Sequence, residues 1–158
     1  MVYSDLKFIS NNVKGIQSKK KRLKIIENFK SKLGTNSFLF LQETHSTKEV
    51  ETKWKDDFEG PVFFSHGQSN ARGVLISYLG NRNFKVNSEL TDKAGRILIL
   101  DVIIEGENIL LINLYNPNTE QEQLKTIEEL KHMLNKINPN HDKNMILGGD
   151  FNFFLTKI

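Results

Sequence analysis

The chain has 158 residues, 38% apolar and 26% charged, enough for one packed domain and too few for two well-buried ones. Twenty-two Lys and Arg against 19 Asp and Glu leave a net charge of +3, which allows a polyanionic partner without requiring one. The absence of cysteine excludes disulfides, thiolate metal sites and cysteine nucleophiles. No apolar run reaches the roughly 18 residues of a membrane span and the first ten residues carry no signal-peptide pattern, so an intracellular chain with no membrane partner is expected.

In chain order, a first apolar run at 6–10 predicts a buried strand and leads into Asn12 and Lys14. A charged amphipathic helix follows over 19–33, opening with Lys19, Lys20, Lys21 and Arg22 and carrying a stripe of Leu23, Ile26, Phe29 and Leu33. The run 38–42 predicts a second strand, ending at Glu43. Ser46 and Glu49 have capping-box spacing, which predicts a short helix from Ser46 with Trp54 and Phe58 on one face. Strands are expected at 61–65, 73–78, 84–88 (the weakest) and 97–104. A hairpin turn within 105–108, containing Asn108, joins the last of these to a strand at 109–115. Thr119 and Glu122 form the capping-box pattern of a long helix to Ile137, with Leu124, Ile127, Leu130, Leu134 and Ile137 as its stripe. A last strand at 145–147 runs into Gly148-Gly149-Asp150-Phe151-Asn152. Strands, hairpins and long helices in this order predict an α/β layered fold.

Polar residues stand at the ends of these core strands: Asn12, Glu43, Tyr115, Asp150 and Asn152. The C-terminal edge of an α/β sheet is where ligand sites gather. Two carboxylates, amides and a phenol converging there suit a hard cation and a phosphate, because Mg2+ takes oxygen ligands, keeps several waters and needs only one or two protein carboxylates. Taken singly, each acidic residue also reads as a turn former or cap, and Tyr115 as a core aromatic. The paired glycines before Asp150 let backbones approach beside the carboxylate, which a simple turn does not require. His45 reads as a surface residue, and His66, His132 and His141 form no pattern. Lys19 to Arg22 is either a solvated helix start or a phosphate contact that relieves the clash of four cations with the helix dipole.

In this order and spacing, NNVKGI, FLFLQETH, INLYNPN and GGDFN resemble the endonuclease/exonuclease/phosphatase superfamily, which includes DNase I, exonuclease III and apurinic/apyrimidinic endonucleases. The QETH form most resembles the endonuclease domain of LINE-type non-LTR retrotransposons, and the likeness runs from Leu6 to Asn152. The resemblance implies a four-layer αββα sandwich, here the N-terminal portion of the domain over 1–158 with the last strands missing. It implies that Glu43 binds the metal, Mg2+ or Mn2+, and that Asn12 helps hold metal and phosphate. Tyr115 would contact the scissile phosphate, Asp150 would activate or orient the attacking water, and Asn152 would be its partner amide. Lys14 stands where the family often has Asp or Asn, a departure that would either weaken the metal site or add a phosphate contact; in the second case it joins Lys19, Lys20, Lys21 and Arg22 as the candidate nucleic-acid contacts. The family's later aspartate and Ser-Asp-His motif are not in the sequence.

The expected function is therefore a metal-dependent endonuclease of retroelement origin acting on DNA, inactive as this fragment. The rest of a polyprotein with a reverse transcriptase would be its partner, and the nucleus its place of work on genomic DNA. A non-catalytic remnant with weak nucleic-acid binding, or a small-molecule or RNA phosphatase of the same superfamily, are the other readings. The aromatic and aliphatic tail after Asp150, Phe151 to Ile158, is expected to form an apolar patch.

Overall fold

A computed structural model describes residues 5–68 and 70–153. Phe154, Leu155 and Ile158 of the apolar tail lie outside the described residues. Eleven elements follow one another: β1 Lys7–Asn12, α1 Lys19–Leu33, β2 Ser37–Gln42, α2 Lys48–Asp57, β3 Val62–Ser65, β4 Val74–Leu79, β5 Phe84–Thr91, β6 Ile97–Ile104, β7 Glu107–Tyr115, α3 Glu120–Ile137 and β8 Asn144–Asp150.

The strands form two four-stranded sheets, ordered β1-β2-β4-β3 and β5-β6-β7-β8. In each sheet one pair is parallel, β1 with β2 and β7 with β8. Parallel neighbours need a crossover, and α1 and α3 supply it. All remaining pairs are antiparallel.

Alternation along the strands distributes the core into three clusters. Phe38, Phe40, Val74 and Ile76 of the first sheet meet Leu98, Leu100, Val102 and Leu111 of the second between the sheets. The opposite faces carry Leu39, Leu41 and Leu75 against Ile26, Phe29 and Trp54 of α1 and α2, and Ile97, Ile99, Leu110 and Ile112 against Leu130 and Met133 of α3. The layers are thus helices, sheet, sheet, helix, the expected αββα sandwich. Covering both faces is why β2 and β6 are buried along almost their whole length and read as nearly continuous apolar runs, interrupted in β6 by Asp101. β5 is an edge strand with exposed Lys85 and Glu89 and a register irregularity between Val86 and Ser88, features that discourage further pairing.

Some local expectations change. The helix expected from Ser46 is capped by Thr47, whose side chain accepts from Val50 N–H. Thr119 is the N-cap of α3 without a side-chain cap bond; its hydroxyl donates to the Glu122 carboxylate instead. The hairpin bends on Glu105 and Gly106, both at positive φ (52° and 89°), as a two-residue turn of the tight primed kind demands, so Asn108 pairs with Ile103 inside β7. Leu23 and Leu124, expected in the helix stripes, are 44% and 61% exposed. Arg22 takes a place on the buried side of α1, and Thr126 and Met133 on that of α3.

Candidate functional site

The C-terminal ends of β1, β2, β7 and β8 meet at one end of the sandwich. Asn12, 138 residues from Asp150 in the chain, connects the sheets: its amide nitrogen donates to Glu43 Oε1 at 2.8 Å and to Asp150 Oδ2 at 2.9 Å. Its Oδ1 accepts from Lys14 N–H at 3.2 Å, so Asn12 turns its donor end, not an oxygen ligand, toward the carboxylates. The Tyr115 phenol also bonds Glu43, and His45 Nε2 lies 3.7 Å from Glu43 Oε2. Asn152 uses its amide nitrogen on Asn116 C=O at 2.7 Å and thereby ties its loop to the end of β7.

Partial burial would raise the Glu43 pKa, but hydrogen bonds from Asn12 and Tyr115 and the nearby His45 and Lys14 more than offset it and hold the carboxyl below its ordinary value. Burial and the bond to Glu43 push the Tyr115 phenol up to about 12, so it remains a donor at neutral pH. The donor set fits a hard divalent cation that completes its shell with water and phosphate oxygens. It does not make a cage, since no three His, Asp or Glu side chains converge for a metal among the described residues.

The loops around these residues are strained. Lys14, Glu43, His45, Arg72 and Asn152 all lie at positive φ, between 47° and 62°, where a non-glycine residue costs about 1–3 kcal/mol. Main-chain bonds hold them: Gly15 N–H to Glu43 C=O at 2.6 Å, Thr44 N–H to Gly73 C=O at 3.0 Å, His45 N–H to Arg72 C=O at 2.7 Å and Asn116 N–H to Asp150 C=O at 2.8 Å.

Directly beneath the carboxylates a buried amide pair joins the sheets. Gln42 donates to Asn113 Oδ1 at 2.7 Å, and Asn113 donates to Leu41 C=O at 2.9 Å and Leu75 C=O at 2.7 Å. Gln42 immediately precedes Glu43, and Asn113 lies two residues before Tyr115. Neither was picked out above, although a polar residue inside FLFLQ or ILLINLY is the kind of interruption that marks a buried contact.

Of the candidate cations, Lys14, Lys19 and Lys20 are exposed, and Lys21 is half-buried with Nζ on Lys14 C=O at 3.0 Å. The first turn of α1 carries no acidic residue to balance them. Arg22 is the exception. It is 3% exposed, paired with Asp57 at 2.7 Å and bonded to the carbonyls of Ile16 and Gln17, so it is a buried strut of α1 rather than a nucleic-acid contact.

No protein-family model matches the chain. It is 36% identical over 122 residues to the transposon TX1 uncharacterized 149 kDa protein of Xenopus laevis, an alignment covering 77% of this chain and 9% of that protein. Among the solved structures that resemble its fold are three of different kinds. They are an endonuclease/exonuclease/phosphatase family protein from Bacteroides thetaiotaomicron (TM-score 0.73, 13% identity, 95% of this chain and 64% of that one), truncated Caenorhabditis elegans TDP2 (0.64, 18%, 93% and 62%), and the endonuclease domain of TRAS1, a telomere-specific non-LTR retrotransposon (0.62, 19%, 93% and 59%). The chain thus spans less than two thirds of each of these proteins.

Proposed function

We propose, from a chain whose fold is that of the endonuclease/exonuclease/phosphatase superfamily, that its strand-end residues form the cation- and phosphate-binding part of a phosphodiesterase acting on DNA within a retroelement protein. The observation that carries the reading is the single amide of Asn12 bridging Glu43 and Asp150 from opposite sheets. The 36% identity to a transposon protein supports the retroelement context over a sugar or small-molecule phosphatase. That context brings a reverse transcriptase on the same polypeptide and work in the nucleus.

Glu43 and Asp150 are the residues that would hold Mg2+ or Mn2+, which supplies positive charge against the phosphate oxygens when bound. Asp150 has one oxygen on Asn12 and offers the other to orient an attacking water in line with the scissile bond. The Asn12 amide and the protonated Tyr115 phenol are donors poised to turn from Glu43 to a phosphate oxygen as negative charge develops there. Asn152 keeps the loop after β8 against β7. Lys14, Lys19, Lys20 and Lys21 contact the flanking backbone and carry no base information.

Titrating the 158-residue chain with Mn2+, followed by electron paramagnetic resonance, tests this directly. One bound ion is expected, lost on Glu43→Gln and weakened at least tenfold on Asp150→Asn, with duplex DNA binding that falls steeply as salt rises. Unchanged Mn2+ binding in both variants would remove the carboxylates from the site.

A further inference from the structure

We propose that His66 is a positioning residue for Glu43: through Ser46 and Thr44 it holds the strained turn that presents Glu43 and His45 to the site. The inference rests on the reading of Glu43 as a cation-binding carboxylate. It arises from a relay outside that site, in which Thr44 Oγ1 lies 2.8 Å from Ser46 Oγ, Ser46 Oγ 2.9 Å from His66 Nδ1, and His66 Nε2 2.8 Å from Glu51 Oε2.

For a neutral imidazole, the direction of every bond follows from the last partner. Burial would raise the Glu51 pKa, but Lys55 at 2.6 Å, Lys48 at 3.0 Å and His66 bring it down to about 2. An ionised carboxylate only accepts, so such an imidazole carries its proton on Nε2 and accepts at Nδ1. Ser46 then donates to His66 and is left to accept from Thr44. The imidazole has little freedom to leave this arrangement, because the Phe64 ring stacks on it at 5.3 Å. Ser46, free of the capping role that the sequence suggested, is the link between α2, the end of β3 and the turn after β2.

Ser, His and Glu in series invite a hydrolytic triad, but the arrangement rules that out. Ser46 is 1% exposed and its oxygen sits between two bonding partners, which leaves no approach for a substrate. The relay acts inward instead. Thr44 lies between Glu43 and His45, both left-handed at φ 52° and 49°. Its hydroxyl and that of Ser46 press on Gly73, where a Cβ would stand 2.4 Å from Thr44 Oγ1 and 3.2 Å from Ser46 Oγ, and where φ is +89°. Gly73 in turn accepts from Thr44 N–H, and its neighbour Arg72 accepts from His45 N–H. Side chains and main chain therefore clamp the same three residues from two directions, which is what keeps an unfavourable backbone populated.

The experiment compares the 158-residue chain with Ser46→Ala, His66→Ala and His66→Gln by two readouts: three-bond amide–Hα couplings of Glu43 and His45, and the Mn2+ dissociation constant. Both Ala variants should move the couplings away from their left-handed values and weaken Mn2+ by about tenfold, the lower edge of what lost ligand-orienting partners cost. His66→Gln, which keeps a donor for Glu51 and an acceptor for Ser46, should restore most of both. Asp57→Asn breaks the buried pair with Arg22 and should lower the melting temperature without moving either readout. Parent-like couplings and parent-like Mn2+ affinity in Ser46→Ala and His66→Ala would overturn the proposal. A parent chain that binds no Mn2+ would count against the cation reading alone, and the couplings then decide the relay by themselves.

Discussion

Replacing Asn113 with leucine, a side chain of similar size, should destabilise the chain by about 3–5 kcal/mol. Asn113 is fully buried and makes three hydrogen bonds, to the Gln42 side chain and to two main-chain carbonyls of the opposite sheet. Each lost bond costs about 0.5–1.5 kcal/mol, and each buried group stripped of its partner about 1–3. Gln42 keeps Ser10 Oγ at 3.1 Å and Phe40 C=O at 3.2 Å, so the larger share of the loss falls on the carbonyls of Leu41 and Leu75. For a domain of this length the melting temperature drops roughly 2–4 °C per kcal/mol, or about 6–20 °C here. Thermal and urea melts of Asn113→Leu, Gln42→Leu and the double variant measure it, with a coupling of about 1–3 kcal/mol expected between the two. The double variant, in which both amides are replaced by apolar groups, should recover part of the stability yet not the Mn2+ affinity, because the pair also registers Glu43 against Tyr115. A single variant that melts within about 1 kcal/mol of the parent, or a double variant with parent-like Mn2+ affinity, would refute the assignment.

The relay carboxylate gives an acid-limb prediction: with Glu51 at about 2 in the fold against its ordinary 4.5, its stabilisation is complete above pH 4.5 and is lost as the pH falls toward 2, and Glu51→Gln should flatten that part of the melting profile. Tyr115 has the opposite sign. Its phenol stays protonated to about 12 in the fold while an unfolded chain ionises near 10, so stability should decline between those values, and Tyr115→Phe should remove that decline. Changing Lys19, Lys20 and Lys21 together to Gln should reduce the slope of log DNA affinity against log salt by about 2–3, at roughly 0.9 per lost phosphate contact; an unchanged slope returns these lysines to a solvated helix face. Arg22→Gln should instead cost about 3–5 kcal/mol of stability, since it leaves Asp57 without its buried partner, and should leave the salt slope alone.

Much of the architecture was legible in the order of residues because its signals are local. A buried strand writes itself as a short Ile-, Leu- and Phe-rich run, and an amphipathic helix as a stripe three to four residues apart. Among the described residues, all eight strands and three helices fall where those patterns lie, with shifts of a few residues at their ends. The residues worth watching at the strand ends were legible for the same reason, since a polar group that closes an all-apolar strand has no role in the core it terminates.

What the chain by itself determined, then, is which segments pair and pack, and which polar residues reach the rim. Only the tertiary structure decided who meets whom there. Asn12 and Asp150 are 138 residues apart, and Gln42 and Asn113 are 71 apart. Their contacts depend on two separate parallel units ending at the same height, a property of how the sheets stack that no window of residues contains. Ser46, Arg22 and His66 show the same limit. Locally they read as a cap, a surface cation and a stray imidazole, but Thr47 caps α2, Asp57 draws Arg22 inward, and the fold brings Glu51 and Ser46 to either side of His66. A hydrogen-bonding side chain states what it can donate or accept, whereas its partner is set by the packing that excludes water around it.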